Sequence, residues 1–355
     1  MKKLILGTGR LLQLPLFAAA LLCYLSAWIS PASFWPVHFF GLAYPIIFIL
    51  LAGFTVAWLL VEPKLAWLPV LAILGGMPFF SSSIGLANPF SRSLPAEAIP
   101  NKNEGFTLLT YNVQGFARHV SFTGAEKQRR LDAFFEFFTD DGVEVICAQE
   151  FIHNKFGKEL LRMLDKAGYT YRHHFHNRVI ILSKYPILSG GGVDFKVYTN
   201  GTAFADIKVG QRVVRVYNTH LQSIKFDNKD YENIESGSPQ KPGLIRIARK
   251  LKRAAVVRSE QVDQLSAHMA QSPHPTIVVG DFNESPSNYA YSTLSRGKRD
   301  AFLANSFQRP GTYAGPIPGL RIDFLLVDQS MRTNGYHVIR NHMSDHFPVR
   351  CRVWF

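Results

Sequence analysis

Charge is nearly missing from the first hundred residues of this chain. Of its 39 Lys/Arg and 26 Asp/Glu, residues 1–100 hold five and two; the other 34 and 24 come later. In lipid, a segment so poor in charge must satisfy every backbone N–H and C=O internally, which restricts it to helices. Three apolar stretches occupy it. Residues 11–29 are uncharged over about a bilayer core, which roughly 20 helical residues span. Residues 37–61 are also uncharged and longer. Residues 65–80 are interrupted by Pro69, Gly75, Gly76 and Pro78, and form the weakest of the three.

Lys2, Lys3 and Arg10 before an apolar stretch also suit a cleavable signal peptide. Two further apolar segments follow at once, which favours a multi-pass anchor of about three transmembrane helices, near 11–29, 37–61 and 65–80. Trp28, Trp35, Trp58 and Trp67 lie near the proposed span ends, as an interfacial aromatic belt requires. Basic residues near the N-terminus place it in the cytoplasm. Three crossings then deliver the remainder to the extracytoplasmic side of the cell membrane; two would leave it inside. The expected organisation is an anchor over 1–82, a Ser/Pro-rich linker over 83–104 and a catalytic domain over 105–355.

Cys23, Cys147 and Cys351 lie in apolar runs at spacings matching no zinc site, so they read as buried, inert thiols. Beyond the linker, strand-like and helix-like patterns alternate. Apolar runs predict strands over 106–111, 143–148, 179–183, 203–209, 212–219, 276–279, 322–327 and 349–355. Helical spacing predicts helices over 128–139, 158–167 and 244–269, with a polar loop over 225–240. Such alternation fits two layers of sheet with helices outside, or equally a doubly wound sheet.

Six polar islands at the ends of these runs decide between them. They are Thr-Tyr-Asn (Asn112), Gln-Glu (Glu150), Asn-Thr-His (His220), Gly-Asp-Phe-Asn (Asp281, Asn283), Arg-Ile-Asp (Asp323) and Ser-Asp-His (Asp345, His346). Carboxylates, amides and histidines at strand ends suit a hard divalent cation and a phosphate together, hence metal-assisted phosphoester hydrolysis. An ionised Glu150 at the end of a buried strand is costly without a cation, so it is the first candidate ligand for Mg²⁺ or Mn²⁺, which take oxygen donors. Asp345 adds a second carboxylate. Asp281-x-Asn283 could be an ordinary turn, since both side chains cap local backbone, but it directly follows an apolar run. A carboxylate such as Asp323 on one nitrogen of His346 would fix the imidazole tautomer and raise its basicity.

In order and type, these islands resemble those of the endonuclease/exonuclease/phosphatase superfamily, here as a membrane-anchored, bacterial-type member. The resemblance covers about 106–355. It implies a four-layer α/β sandwich, two packed mixed sheets flanked by helices, with the active site where strand ends meet. It further implies that Asn112, Glu150 and Asp345 surround the metal, that Asp281 orients or deprotonates the attacking water, and that Asn283 holds that water or a phosphoryl oxygen. His346, partnered by Asp323, becomes the catalytic histidine, and His220 a donor to a non-bridging oxygen.

The rest is less directive. His173, His174 and His176 read as surface or substrate-rim residues, Tyr111 and Tyr313 as packing around the site, and Asn218 as facing the same region. Residues 241–258 hold seven Lys/Arg and no acid: a rim attracting phosphates or lipid headgroups, or a solvated helix face. A net charge of +13 favours polyanions and hence a nuclease-like phosphodiesterase. The anchor favours a phospholipid or inositol-phosphate hydrolase. A binding module without turnover is the non-enzyme reading, and no protein partner is legible.

Overall fold

The computed structural model describes residues 2–84, 104–116, 123–176, 178–195, 200–235, 241–304, 309–316 and 319–355. The linker expected over 83–104 lies, apart from its ends, outside the described residues. Two compact units emerge. One comprises residues 1–86, 224–260 and 284–293; the other comprises 87–223, 261–283 and 294–355.

The second unit holds every described strand: β1 (Gly105–Asn112), β2 (Val145–Gln149), β3 (Tyr171–Phe175), β4 (Val179–Ser183), β5 (Ile187–Val193), β6 (Gly201–Val209), β7 (Arg212–His220), β8 (Thr276–Asp281), β9 (Lys298–Asp300), β10 (Asp323–Asp328), β11 (Arg332–Val338) and β12 (Val349–Trp354). They form two six-stranded sheets, ordered β11-β12-β1-β2-β4-β3 and β5-β6-β7-β8-β10-β9. The doubly wound alternative is thereby excluded in favour of the sandwich. Each sheet has one parallel pair, β1–β2 and β7–β8, and is otherwise antiparallel.

Strand parity builds the core, because successive side chains point to opposite faces. Phe106 and Leu108, Val145 and Cys147, and Val179 and Ile181 meet Ala203, Ala205, Val214, Val216, Ile277, Val279, Leu325 and Val327 of the other sheet. The alternate residues, Leu109 and Tyr111, Ile146 and Ala148, Ile180 and Leu182, join a second cluster with Leu131, Phe134 and Phe138 of α7 (Gly124–Thr139) and Leu160 and Leu164 of α8 (Lys155–Lys166). Tyr111 therefore packs on Phe134, Phe137 and Phe138, away from the strand-end site that the sequence suggested for it. The three cysteines are free and buried.

The first unit opens with α1 (Lys2–Leu25), α2 (Pro31–Phe34), α3 (Pro36–Leu42), α4 (Tyr44–Val61), α5 (Trp67–Gly75) and α6 (Met77–Ile84). Two stretches, Leu6–Leu25 and Tyr44–Val61, are long and apolar enough to cross a membrane; Pro63–Gly75 with Met77–Ser83 makes a third if the pair, bent by 54°, is one span. The stretch expected over 37–61 breaks at Ala43, just before the Tyr44-Pro45 start of α4. The bend between α5 and α6 falls where Gly75, Gly76 and Pro78 interrupt the helix, and neighbouring tyrosines cover it. Tyr24 Oη donates to Ala72 O (2.6 Å) and Tyr44 Oη to Gly76 O (2.7 Å). Gln13 Oε1 accepts from Trp58 Nε1 at 2.8 Å, while Cys23 clusters with Tyr44 and Ile47. Early α1 thus meets late α4 and the reverse, an antiparallel hairpin.

The same unit includes α9 (Asn228–Glu235), most of α10 (Lys241–Ala270) and all but the last residue of α11 (Tyr289–Leu294). Helix α9 lies inside the loop expected over 225–240. Asp227 and Asp230 cap it reciprocally, each carboxylate accepting the other's backbone N–H (3.0 and 2.9 Å). Arg258 Nε donates to Glu284 Oε2 at 3.0 Å, with His38 Nδ1 3.5 Å from the same oxygen; all three residues are buried. Ser287 Oγ donates to Gly41 O (2.8 Å) and Ser26 Oγ to Ser287 O (2.8 Å). A Cβ on Gly41 would lie 1.9 Å from Asn288 Oδ1, so only glycine permits this approach. Residues 284–288 are thus gripped by the segment joining the first two candidate spans.

Breaking a buried ion pair from one side costs about 3–5 kcal/mol, whereas replacing both partners with apolar groups costs far less. Glu284→Ala should therefore destabilise the full chain by about that amount, and Arg258→Met with Glu284→Leu should recover most of it. Thermal unfolding in detergent reads both. Equal losses in the two proteins would remove the ion pair from this account.

Candidate active site

The inward-facing row of each central strand turns from apolar to polar at the same end of the sandwich. Parallel pairing sets this up, because it puts two carboxyl-terminal ends side by side: Asn112 pairs with Gln149, and His220 with Asp281. Antiparallel β10 brings its first residue to the same place, Asp323 opposite Asp281. Antiparallel β12 starts opposite Thr110, so Asp345 and His346 just before it arrive there too. All six islands converge.

Asp281 is the centre. Only 1% of it is exposed, and four residues satisfy or face it. Asn112 Nδ2 donates to its Oδ2 at 3.0 Å, bridging the two sheets, and Asn283 donates through its backbone N (2.8 Å) and Nδ2 (3.0 Å). His220 Nε2 and His346 Nε2 stand 3.6 and 3.7 Å from the same oxygen. Burial pushes the Asp281 carboxyl above the usual carboxylate range; His346 opposes this and Asp323 adds to it. At Gly280, φ is +125° and a Cβ would lie 2.0 Å from Thr219 O, so glycine alone lets β8 deliver Asp281 here.

His346 Nδ1 lies 3.1 and 3.0 Å from the two oxygens of Asp323, leaving Nε2 towards Asp281. Burial by itself disfavours the imidazolium, but Asp323 and Asp281 outweigh it and raise this histidine to about 10. Tyr313 stacks edge-on against the ring at 5.5 Å, as its sequence position suggested. His220 is buried, yet neither ring nitrogen has a hydrogen-bond partner. Its Nε2 faces Glu150 Oε1 at 3.6 Å, and Asn112 Nδ2 also donates to that oxygen at 3.3 Å. Glu150 and Asn283 both adopt left-handed backbone (φ 53° and 51°), so each strand turns sharply as its polar side chain is presented.

The sequence reading overlooked two participants. Gln114, two residues past Asn112 and also left-handed (φ 50°), donates to Asp345 Oδ2 at 2.8 Å. Ser344 Oγ donates to Asn112 O at 2.7 Å, tying the Ser-Asp-His turn to β1. Gln114 follows one island by two residues and Ser344 opens another, and that placement was the available signal. Asn218 is placed otherwise than expected. Its side chain donates to Ala148 O (3.0 Å) and Ile180 O (2.8 Å) and accepts from Gln149 Nε2 (2.6 Å), a cross-sheet brace one layer below the site. His173 and His176 lie on edge strand β3 and the turn after it, against Gly191 O and Asp194.

Among the described residues one cluster has the spacing of a cation site: Asp281, Asp323 and His346 present atoms within 4.8 Å of one another. Elsewhere at the site the carboxylates of Glu150 and Asp345 offer the oxygen donors a hard ion prefers, with Asn112 Nδ2 facing Glu150 and Gln114 holding Asp345.

The sequence signature described as the Endonuclease/Exonuclease/phosphatase family matches residues 109–346. The chain belongs to that family, whose members are phosphoesterases. A second signature, described as a domain of unknown function, matches residues 2–83. No curated protein sequence matched the chain. Among solved structures, an endonuclease/exonuclease/phosphatase protein from Beutenbergia cavernae is similar at 15% identity and TM-score 0.50, over 71% of this chain and 72% of its own. A family protein from Leptotrichia buccalis (16%, TM-score 0.49, covering 70% and 100%) and sphingomyelinase C from Streptomyces griseocarneus (18%, 0.47, 70% and 99%) are also similar. At these identities the likeness is one of fold.

Gly280→Ala should cost more than about 1 kcal/mol, because alanine at positive φ is strained even before the clash with Thr219. Denaturant unfolding checks it. Unchanged stability would mean that the β8 turn tolerates a side chain.

Proposed function

We propose that this protein is a membrane-anchored, divalent-metal-dependent phosphodiester hydrolase whose water attacks phosphorus in line. The observation that carries this reading is His220: two unpartnered ring nitrogens, buried beside Asp281 and Glu150, suit a ligand oxygen better than an apolar core.

In this reading Asp281 accepts a proton from, or orients, the attacking water, held in place by Asn112 and Asn283. The new P–O bond forms as the bond to the leaving oxygen breaks. His220 and His346 donate to non-bridging oxygens as negative charge builds on them, and Asp323, held on Nδ1, fixes the His346 ring with Nε2–H pointing inward. Glu150, Asn112 and Asp345 would hold Mg²⁺ or Mn²⁺, which when bound supplies positive charge to the phosphoryl group. Preference for this set over Asp281–Asp323–His346 rests on its two carboxylates and on the prior engagement of His346 Nδ1 by Asp323.

A phospholipid or inositol-phosphate substrate is the second reading, favoured by the two to three candidate spans, which would hold the site beside headgroups. Hydrolysis of DNA, RNA, a phosphatidyl lipid and an inositol phosphate, measured side by side with Mg²⁺ and with EDTA, discriminates. Activity on the first pair alone supports a nuclease, and on the second pair alone a headgroup hydrolase.

His346→Ala and Asp281→Ala should each lower turnover at least ~10²-fold with thermal unfolding still cooperative. Glu150→Gln should raise the Mg²⁺ needed for half-activity by at least ~10-fold. Full activity in either alanine variant would sink the mechanism, and an unshifted Mg²⁺ titration would move the ion to the other grouping.

The anchor and its orientation, N-terminus cytoplasmic and 105–355 extracytoplasmic, are tested together. The chain should stay with membranes through an alkaline carbonate wash, and a reporter fused after Phe355 should be active outside the cytoplasm only. Release by the wash, or a reporter active inside, would reverse the respective half.

A further inference from the structure

The six Lys/Arg of residues 246–258 do not share one fate. Arg258 is buried on Glu284. Arg246 and Lys250 turn to the acids of the α9 cap: Arg246 lies 2.8 Å from Asp230 Oδ1, and Lys250 donates to Asp227 Oδ2 at 3.1 Å and to Asp230. Arg249, Lys252 and Arg253 are exposed, and among the described residues no carboxylate pairs with them. They share that exposure with Leu244, Ile245 and Ala248. Positions 244, 245, 248, 249, 252 and 253 recur every three to four residues, so they form one helix face. That face is apolar at its amino-terminal end and basic further on.

Its surroundings within the same unit tell what it meets. Lys252 Nζ stands 4.6 Å over the ring of Trp35, and one turn beyond Arg253 and further, Ser259 Oγ accepts from Ala32 N at 3.2 Å. The basic part of α10 therefore runs beside the segment that joins α1 to α4, the two helices long enough to span. Trp28, Phe34 and Trp35 in that segment are 67%, 50% and 39% exposed. Large exposed aromatics at the ends of two antiparallel apolar helices mark the depth of lipid headgroups, and unpaired cations at that depth meet phosphates.

We propose that the 244–253 face of α10 is an in-plane contact for anionic phospholipid headgroups, with Leu244 and Ile245 entering the interface and Arg249, Lys252 and Arg253 pairing with phosphates. This rests on the membrane reading of the N-terminal helices. A solvated face explains the cations equally well but not two exposed branched aliphatic residues on the same stripe.

The test uses the full chain in lipid nanodiscs with a fluorophore on Ile245→Cys, the three native cysteines being buried. Headgroup-nitroxide lipid should quench the probe in discs containing phosphatidylglycerol at least ~3-fold more than in phosphatidylcholine discs. High salt, or Arg249→Gln with Lys252→Gln and Arg253→Gln, should abolish the difference, while hydrolysis of a soluble phosphodiester stays unchanged. Equal quenching in both lipids, or none, overturns the proposal. A probe that responds to a single-stranded oligonucleotide but not to phosphatidylglycerol also overturns it, making the face a polynucleotide surface. Co-elution with neutral discs reports the membrane reading separately. If the chain leaves neutral discs, the spans fail, and the in-plane contact at headgroup depth falls with them; a chain that stays in neutral discs yet shows equal quenching overturns the contact alone.

Discussion

One hydrogen bond, from Asn112 of the first sheet to Asp281 of the second, sets the terms for the rest of the catalytic half. A carboxylate so deeply buried is tolerated only where donors surround it. The fold supplies those donors from β1, from the turn after β8, and from histidines ending β7 and preceding β12. Each comes from a different place in the chain, and each depends on the direction of its strand. If either parallel pair were antiparallel, half the polar ends would lie at the far side of the sandwich. The rule that buried charge must be compensated and the rule that parallel strands align their ends thus converge on one cluster.

Much of this was legible before any coordinates. The eight central strands announce themselves as apolar runs, because both their faces are covered. The strands that escaped notice are β3, β5, β9 and β11, and they are the four sheet edges. Tyr171–Phe175 and Arg332–Val338 are largely exposed or half-exposed, so they carry polar residues, and nothing in such a run distinguishes a strand from a loop. The islands were legible for the complementary reason, since polar residues ending apolar runs need a cause. Parity could have gone further. Asn112 has the parity of Phe106 and Leu108, and Tyr111 that of Leu109, so Tyr111 had to point at the helices. Asn218 shares the parity of His220 but sits one layer deeper, and depth cannot be read from parity.

The N-terminal unit was legible in composition and opaque in its contacts. Lack of charge identified the apolar helices, and glycine and proline located the bend between α5 and α6. Nothing in residues 1–86 signals that Gly41 must stay small for Asn288, or that His38 lies against Glu284. Those are long-range facts, set by segments far apart in sequence. The run of basic residues misled in a related way, because a linear count cannot separate cations neutralised by α9 or Glu284 from those left facing outward.

The grip of Ser26, His38 and Gly41 on residues 284–288 bears on how such chains can diverge. Glu284 follows Asn283 by a single peptide bond, so the stretch held by the helices begins where the Gly-Asp-Phe-Asn island ends. A descendant that lost the helices would strand Ser287 without its two backbone partners and free Asn288 from the close approach of Gly41. Substitutions at 284–288 should therefore track the presence of the helices across lineages, whereas Asp281 and Asn283 should not. The helices and this short loop are a single heritable piece, even though residues 87–223 and 261–283 of the sandwich are spliced between them.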